Sequence, residues 1–140
     1  MGNFFYDLKR GQDYEIKTKE LYGDNYHFEQ PTSERNREYY DLKITNKSSG
    51  VVEYVEVKSD FIAINTKNVA IEIEYRGKDS GLTITKADYY IIHAVGLCAY
   101  KILVTELKDI IKKCRIVYGG DRGCSKIKLV PLRLLTKYKI

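Results

Sequence analysis

The sequence predicts an α/β fold: a central mixed β-sheet flanked by helices. Three observations carry this. An amphipathic helical pattern opens the chain, several period-two apolar runs follow between turn-rich stretches, and a second helical pattern comes after them. At 140 residues, 44% hydrophobic and 31% charged, one compact domain covering residues 1–140 is expected.

In "NFFYDLKRGQDYEIKTKELYG", Phe5, Leu8, Ile16 and Leu21 recur near helical spacing, and Gly23 reads as a stop. Gly11 is a candidate break. The polar stretch 24–38 contains Pro31 and reads as a loop. "YYDLKIT" and "VVEYVEVKSD", joined by the turn "NKSSG", form a predicted hairpin. "NVAIEIEYR" is a third strand, with Val69, Ile71, Ile73 and Tyr75 alternating against Glu72 and Glu74. "ADYYIIHAV" and "AYKILV" are the fourth and fifth. "TELKDIIKKCR" is a helix capped by Thr105, with Leu107, Ile110, Ile111 and Cys114 on one face. "YGGDRGCSK" reads as a loop, and "IKLVPLRLLTKYKI" as a short strand that Pro131 interrupts before a basic tail.

Composition narrows the function classes. No apolar run has bilayer length and the N-terminus lacks a signal-peptide core, so an intracellular, cytoplasmic protein without a membrane partner is expected. Cys98, Cys114 and Cys124 have neither the pairing nor the spacing of a disulfide framework or a zinc site. "YGGDRGCSK" lacks P-loop spacing, so no nucleotide cofactor is expected. The net charge of +5 is unevenly spread. Residues 1–96 hold 13 basic and 16 acidic side chains, and residues 97–140 hold 11 and 3. A basic segment joined to an acid-bearing one suits a protein that grips a polyanion and works on it with metal.

The acids fall where a core should be. Glu56 and Lys58 stand two apart on one strand and share a face, their Cα atoms about 6.6 Å apart. If the two strands pair as a hairpin, Asp41 comes beside Glu56. Two adjacent carboxylates repel, and a divalent cation relieves the repulsion. Mg²⁺ takes oxygen ligands and keeps several waters, which fits two carboxylates and a main-chain carbonyl. A lysine beside them orients a water for attack on phosphorus. For Glu-x-Lys alone, a solvated strand face is the plain alternative. The Asp-x14-Glu-x-Lys arrangement on adjacent strands is more specific.

"EYYDLKI" followed by "YVEVKSD" resembles the PD-(D/E)XK nuclease superfamily, with its restriction-endonuclease-like core. The match is to Asp41, Glu56 and Lys58 and covers about residues 5–95. The motif proline is absent, Tyr40 preceding Asp41. The resemblance is closest to small viral nucleases and archaeal-type Holliday junction resolvases. It implies metal-dependent phosphodiester hydrolysis by an endonuclease, with Asp41, Glu56 and the Val57 carbonyl on Mg²⁺ (Mn²⁺ substituting). Glu15 on the first helix supports the metal, and Lys58 positions the water. Branched or flapped DNA cut by a homodimer is the specific version. A non-catalytic DNA-binding protein that keeps the fold, and an RNase or single-strand nuclease, stay open as alternatives.

Further residues are candidates for the same site or for DNA. Glu72, on the next predicted strand, is a candidate to reach the metal through a water, a solvated strand face shared with Glu74 being the plain alternative. Thr85 and Lys86, in "TITKADYY", are candidate phosphate contacts, a capping Thr and a surface Lys being the plain alternative. Arg76 and Lys78 are candidates to line a DNA channel, and Arg122 and Lys126 to touch backbone phosphates.

Overall fold

A computed structural model describes residues 4–33 and 39–140, with the side chains of 4–12 and 121 outside the description. Two sheets organise it. The larger has the order β1–β2–β3–β6–β7, and the smaller β5–β4–β9–β8. In the larger sheet β1 (Tyr26–Glu29), β2 (Leu42–Asn46) and β3 (Val52–Asp60) pair antiparallel. β6 (Tyr89–Ala94) lies parallel to β3, and β7 (Cys98–Leu103) antiparallel to β6, making the sheet mixed as expected. The smaller sheet joins β4 (Asn68–Tyr75), β5 (Lys78–Asp79), β8 (Arg115–Gly119) and β9 (Ser125–Pro131), all antiparallel.

One face of the larger sheet carries Leu42, Ile44, Val55 and Ile91, with Tyr22 of α1 (Phe4–Tyr22) packed against them. The opposite face carries Tyr90, Ile92, Ala94, Tyr100 and Ile102. These meet Val69, Ile71 and Val130 of the smaller sheet and Leu107 of α3 (Val104–Ile111). Burying such side chains contributes roughly 1.5–3 kcal/mol each.

Several expectations need correction. α1 is continuous through Gly11 and ends as predicted at Gly23, whose φ of 85° lets its amide bond the Lys19 carbonyl. Its packed side is not the apolar one, however. Ile16 and Leu21 are 53% and 51% exposed, while Thr18 is fully buried between Tyr14 and Tyr22 at i±4. Polar tips on this face answer polar groups of the sheet. Tyr22 donates to Glu53, and Glu53 also holds Lys101 at 2.9 Å. Phe5 and Leu8 lie outside the described side chains.

The expected loop at 24–38 contains β1, which covers the edge of β2; residues 34–38 lie outside the description. The third strand leaves the larger sheet altogether. Asp60 ends β3 by accepting the amides of Ile62 and Ala63 at the short helix α2 (Ala63–Thr66), and its second oxygen accepts the Ala70 amide. The chain is thereby turned onto the smaller sheet, and β6 takes the place beside β3. Strand β8 is masked in the sequence by its attachment to a helical pattern. α3 begins at Val104 after Leu103, not at a Thr105 cap, and ends at Ile111, leaving "RIVYG" free to pair with β9. The glycine-rich stretch thus shrinks to a hairpin turn, and Pro131 closes β9 instead of interrupting it. The three cysteines are free.

Candidate active site

The site forms where β2 stops and β3 continues. Their register pairs Leu42 with Val55, so the next positions outward, Asp41 and Glu56, face each other. The Asp41 amide donates to the Val55 carbonyl at 2.9 Å. Beyond it β3 has no β2 partner, and the Asp41 carboxylate substitutes for one by accepting the Val57 amide at 2.7 Å. That bond fixes the carboxylate at the strand edge.

Glu56 and Lys58 share a face as predicted, with Nζ 3.8 Å from Oε1. Glu56 is 6% exposed, whereas the Lys58 side chain reaches solvent. Among the described residues, Glu56 Oε2 and the Tyr90 hydroxyl are buried with no hydrogen-bond partner. Burial and the neighbouring Asp41 carboxylate push the Glu56 carboxyl up to about 8, against the pull of Lys58. Burial also raises Asp41, opposed by the Val57 amide and Lys58. The two acids therefore do not both carry charge readily at neutral pH.

Glu15 is half-buried, accepts from Gln30 Nε2 at 3.0 Å, and lies near enough to add to the repulsion on Glu56. Among the described residues no three His, Cys, Asp or Glu side chains cluster as ligands of one metal would. The donor set is thus two carboxylates at the edge of β3. That set suits a hard cation which retains water, and among the described residues Glu56 Oε2 accepts from no N–H or hydroxyl donor.

Glu72 belongs to the smaller sheet but faces the same site. It lines a recess of about 180 Å³ with Lys58, Ala70, Ile71, Gly81 and Tyr90. A β-bulge sets its direction: Glu72 pairs with Ile127 and Glu74 with Lys126, leaving Ile73 as the extra residue. Ser125 donates to its carboxylate at 2.7 Å and Ser80 at 3.0 Å. Gly81 closes the recess at a φ of 52°; a Cβ there would stand 2.3 Å from the Glu72 carbonyl oxygen. Tyr90, Ser80 and Ser125 carry no signal in the sequence. The register that pairs Tyr90 with Glu56 comes from a parallel strand, and no local pattern announces that partner.

The predicted DNA-contacting residues form two groups. Lys86 is exposed and tied to the Asp41 segment, its amide donating to the Tyr39 carbonyl and its Nζ lying over the Tyr39 ring. Thr85 is buried, and its hydroxyl donates to Tyr39 and accepts from Ala87, so it shapes the turn that presents Lys86. Arg76, Lys78 and Arg122 are exposed at one end of the smaller sheet, where the Arg76 amide donates to Cys124. Lys126 is there too, paired with Glu74 at 3.3 Å. No described helix is long and apolar enough to cross a membrane.

No protein-family model and no curated protein matches the chain. Among solved structures, that of a bacterial homing endonuclease, I-Ssp6803I, is similar. Its TM-score is 0.53 at 20% identity, over 94% of this chain and 77% of that one. At this identity the likeness shows a shared fold.

Proposed function

We propose that this fold serves a metal-dependent endodeoxyribonuclease, with Asp41, Glu56 and Lys58 at its centre. One observation carries the reading: the carboxyls of half-buried Asp41 and buried Glu56 share a hydrogen bond at the open edge of β3, with Lys58 Nζ 3.8 Å from Glu56. Two acids held this close and out of water are costly to keep in a fold that makes no use of them. The shared fold with a structure whose name says endonuclease supports the reading.

Asp41, Glu56 and the Val57 carbonyl would hold Mg²⁺ or Mn²⁺, which when bound supplies positive charge at the phosphoryl oxygens. The chain's own residues do the rest. The Val57 amide keeps Asp41 in place. Lys58, anchored beside Glu56 but open to solvent, orients the attacking water toward phosphorus. Glu15 adds negative charge near the cation. Lys86 meets a phosphate beside the scissile one, and Arg76, Lys78 and Arg122 hold the backbone further along.

The finer reading is cleavage of branched or flapped DNA by a homodimer, since paired sites suit cuts on opposing strands. The test is cleavage of single-stranded, duplex, flap and four-way DNA, with RNA controls, with and without Mg²⁺. Metal-dependent scission of DNA that Asp41→Asn abolishes is the expected result. No scission on any substrate, with DNA binding intact, would mark a non-catalytic binder. Preference for uninterrupted duplex would replace the branched substrate.

A further inference from the structure

Behind Glu56 and Lys58 lies the recess between the two sheets. Its polar lining residues are Lys58, Tyr90 and Glu72; the rest of its lining is Ala70, Ile71 and Gly81. Tyr90 is 1% exposed and stands beside Glu56 in the parallel ladder, yet its hydroxyl meets no protein partner among the described residues. A buried hydroxyl without a hydrogen bond costs about 1–3 kcal/mol, and phenylalanine would fill the same space without that cost. The recess has room for several waters, each with a liquid-volume share of about 30 Å³. The surrounding groups also offer both donors and an acceptor. Lys58 and Tyr90 donate, and Glu72, fixed by Ser80 and Ser125, accepts.

We infer that this recess holds ordered water for the reaction, with Tyr90 a positioning residue that keeps one such molecule between Lys58 and Glu72. The inference rests on the nuclease reading above. Tyr90 acts through the water that Lys58 presents, so it tunes the chemical step without gripping metal or DNA. Glu72, brought from the smaller sheet by the bulge at Ile73, gives that water its acceptor and so its orientation.

The test is Tyr90→Phe, which removes one oxygen and keeps the ring in the core. Without metal or DNA, loss of a water-bridged hydroxyl should lower Tm by about 3 °C. In the loaded enzyme kcat should fall about tenfold, while KM, DNA affinity and Mg²⁺ affinity stay at wild-type values. An unchanged or raised Tm would mean a dry recess and an idle hydroxyl, and overturns the inference. So does a lowered Tm with normal kcat, which leaves the water purely structural. A parallel loss of Mg²⁺ affinity also overturns it, placing Tyr90 in support of the metal instead. Asp41→Asn is run alongside. Full activity in Asp41→Asn sinks the nuclease reading itself, whereas a wild-type Tyr90→Phe beside an inactive Asp41→Asn sinks only this inference.

Discussion

The Asp41 carboxylate accepts the backbone amide of Val57 at 2.7 Å, so a side chain completes a sheet ladder at the point where its strand has ended. The group that would bind a cation is therefore also a structural acceptor, and the two roles separate by substitution. Asp41→Asn keeps an oxygen for the amide and removes a charge from beside Glu56. It should hold Tm within a few degrees of wild type and lose cleavage. Asp41→Ala should lose cleavage and about 1–3 kcal/mol as well, since the Val57 amide is left unmet. Chemical denaturation of both variants checks this; equal stabilities would remove the structural role.

Cation binding should displace a proton. With its carboxyl raised to about 8, Glu56 is mostly protonated at pH 7 in the metal-free protein. Binding requires the charged form, so Mg²⁺ uptake should release up to one proton at pH 7 and fewer as pH rises past 8. Calorimetry in buffers of different ionisation enthalpy counts the protons. Zero release at pH 7 contradicts the shared acid pair.

Lys58→Ala should reduce cleavage to background while DNA affinity stays within about threefold of wild type. On the proposed reading the ammonium would serve the attacking water and add one partly exposed charge to binding. Single-turnover cleavage and fluorescence anisotropy read the two effects separately. Cleavage at wild-type rate excludes Lys58 from the chemistry.

The basic groups lie at opposite ends of the β8–β9 hairpin. Arg115 opens β8 just after Lys112 and Lys113, and Arg122 is in the turn after Gly119, about 13 Å from Arg115's end along the strand. The turn end is the one beside the recess, because Ser125 there bonds Glu72. Neutralising Arg76, Lys78 and Arg122 should make the salt dependence of DNA binding shallower by roughly 2–3 in log–log slope, since each phosphate that a cation neutralises accounts for about 0.9. Neutralising Lys112, Lys113 and Arg115 should change it less. The reverse ranking would move the DNA footprint to the helix end.

His93 predicts an acid weakness away from the site. The Thr18 hydroxyl gives its proton to the Tyr14 carbonyl, so His93 Nε2, 2.8 Å away, is the donor of that pair. Burial first, and Lys17 second, depress its pKa below 6.5. A histidine depressed in the folded state contributes stability above its unfolded pKa and loses it as pH falls through the folded one. Stability should therefore decline as pH drops below about 6.5, and His93→Gln should flatten that decline. Identical pH–stability curves for the two proteins would exclude His93 as the source.

Much of the site is legible in the sequence because it is local. Glu56 and Lys58 share a face by strand period alone, and the "NKSSG" turn fixes the register that brings Asp41 opposite Glu56. α3 and most strands follow from periodicity for the same reason. What is not legible depends on pairing between distant segments. "NVAIEIEYR" has the alternation of a half-buried strand in either sheet, and only Asp60's bond to Ala70 and the entry of β6 decide which. The buried face of α1 escapes an apolar pattern because Thr18 and the tyrosines bury polar tips that find partners in His93 and Glu53, and apolarity alone does not register them. Tyr90 looks like any strand tyrosine until the parallel register sets it beside Glu56.

The connection from β3 to β6 runs through residues 61–88 and carries β4 on its way, while β9 must come back from residues 125–131 to pair with β4. The acid pair and Lys58 belong to an early stretch of chain, but one of the hydroxyls that fix Glu72 beside them belongs to a late one. During synthesis the first 60 residues carry Asp41, Glu56 and Lys58 into water, where carboxylates ionise freely. Only when β9 docks does Ser125 reach Glu72. A nascent chain that ends before residue 125 would thus leave Glu72 without its Ser125 donor and β4 without its β9 partner.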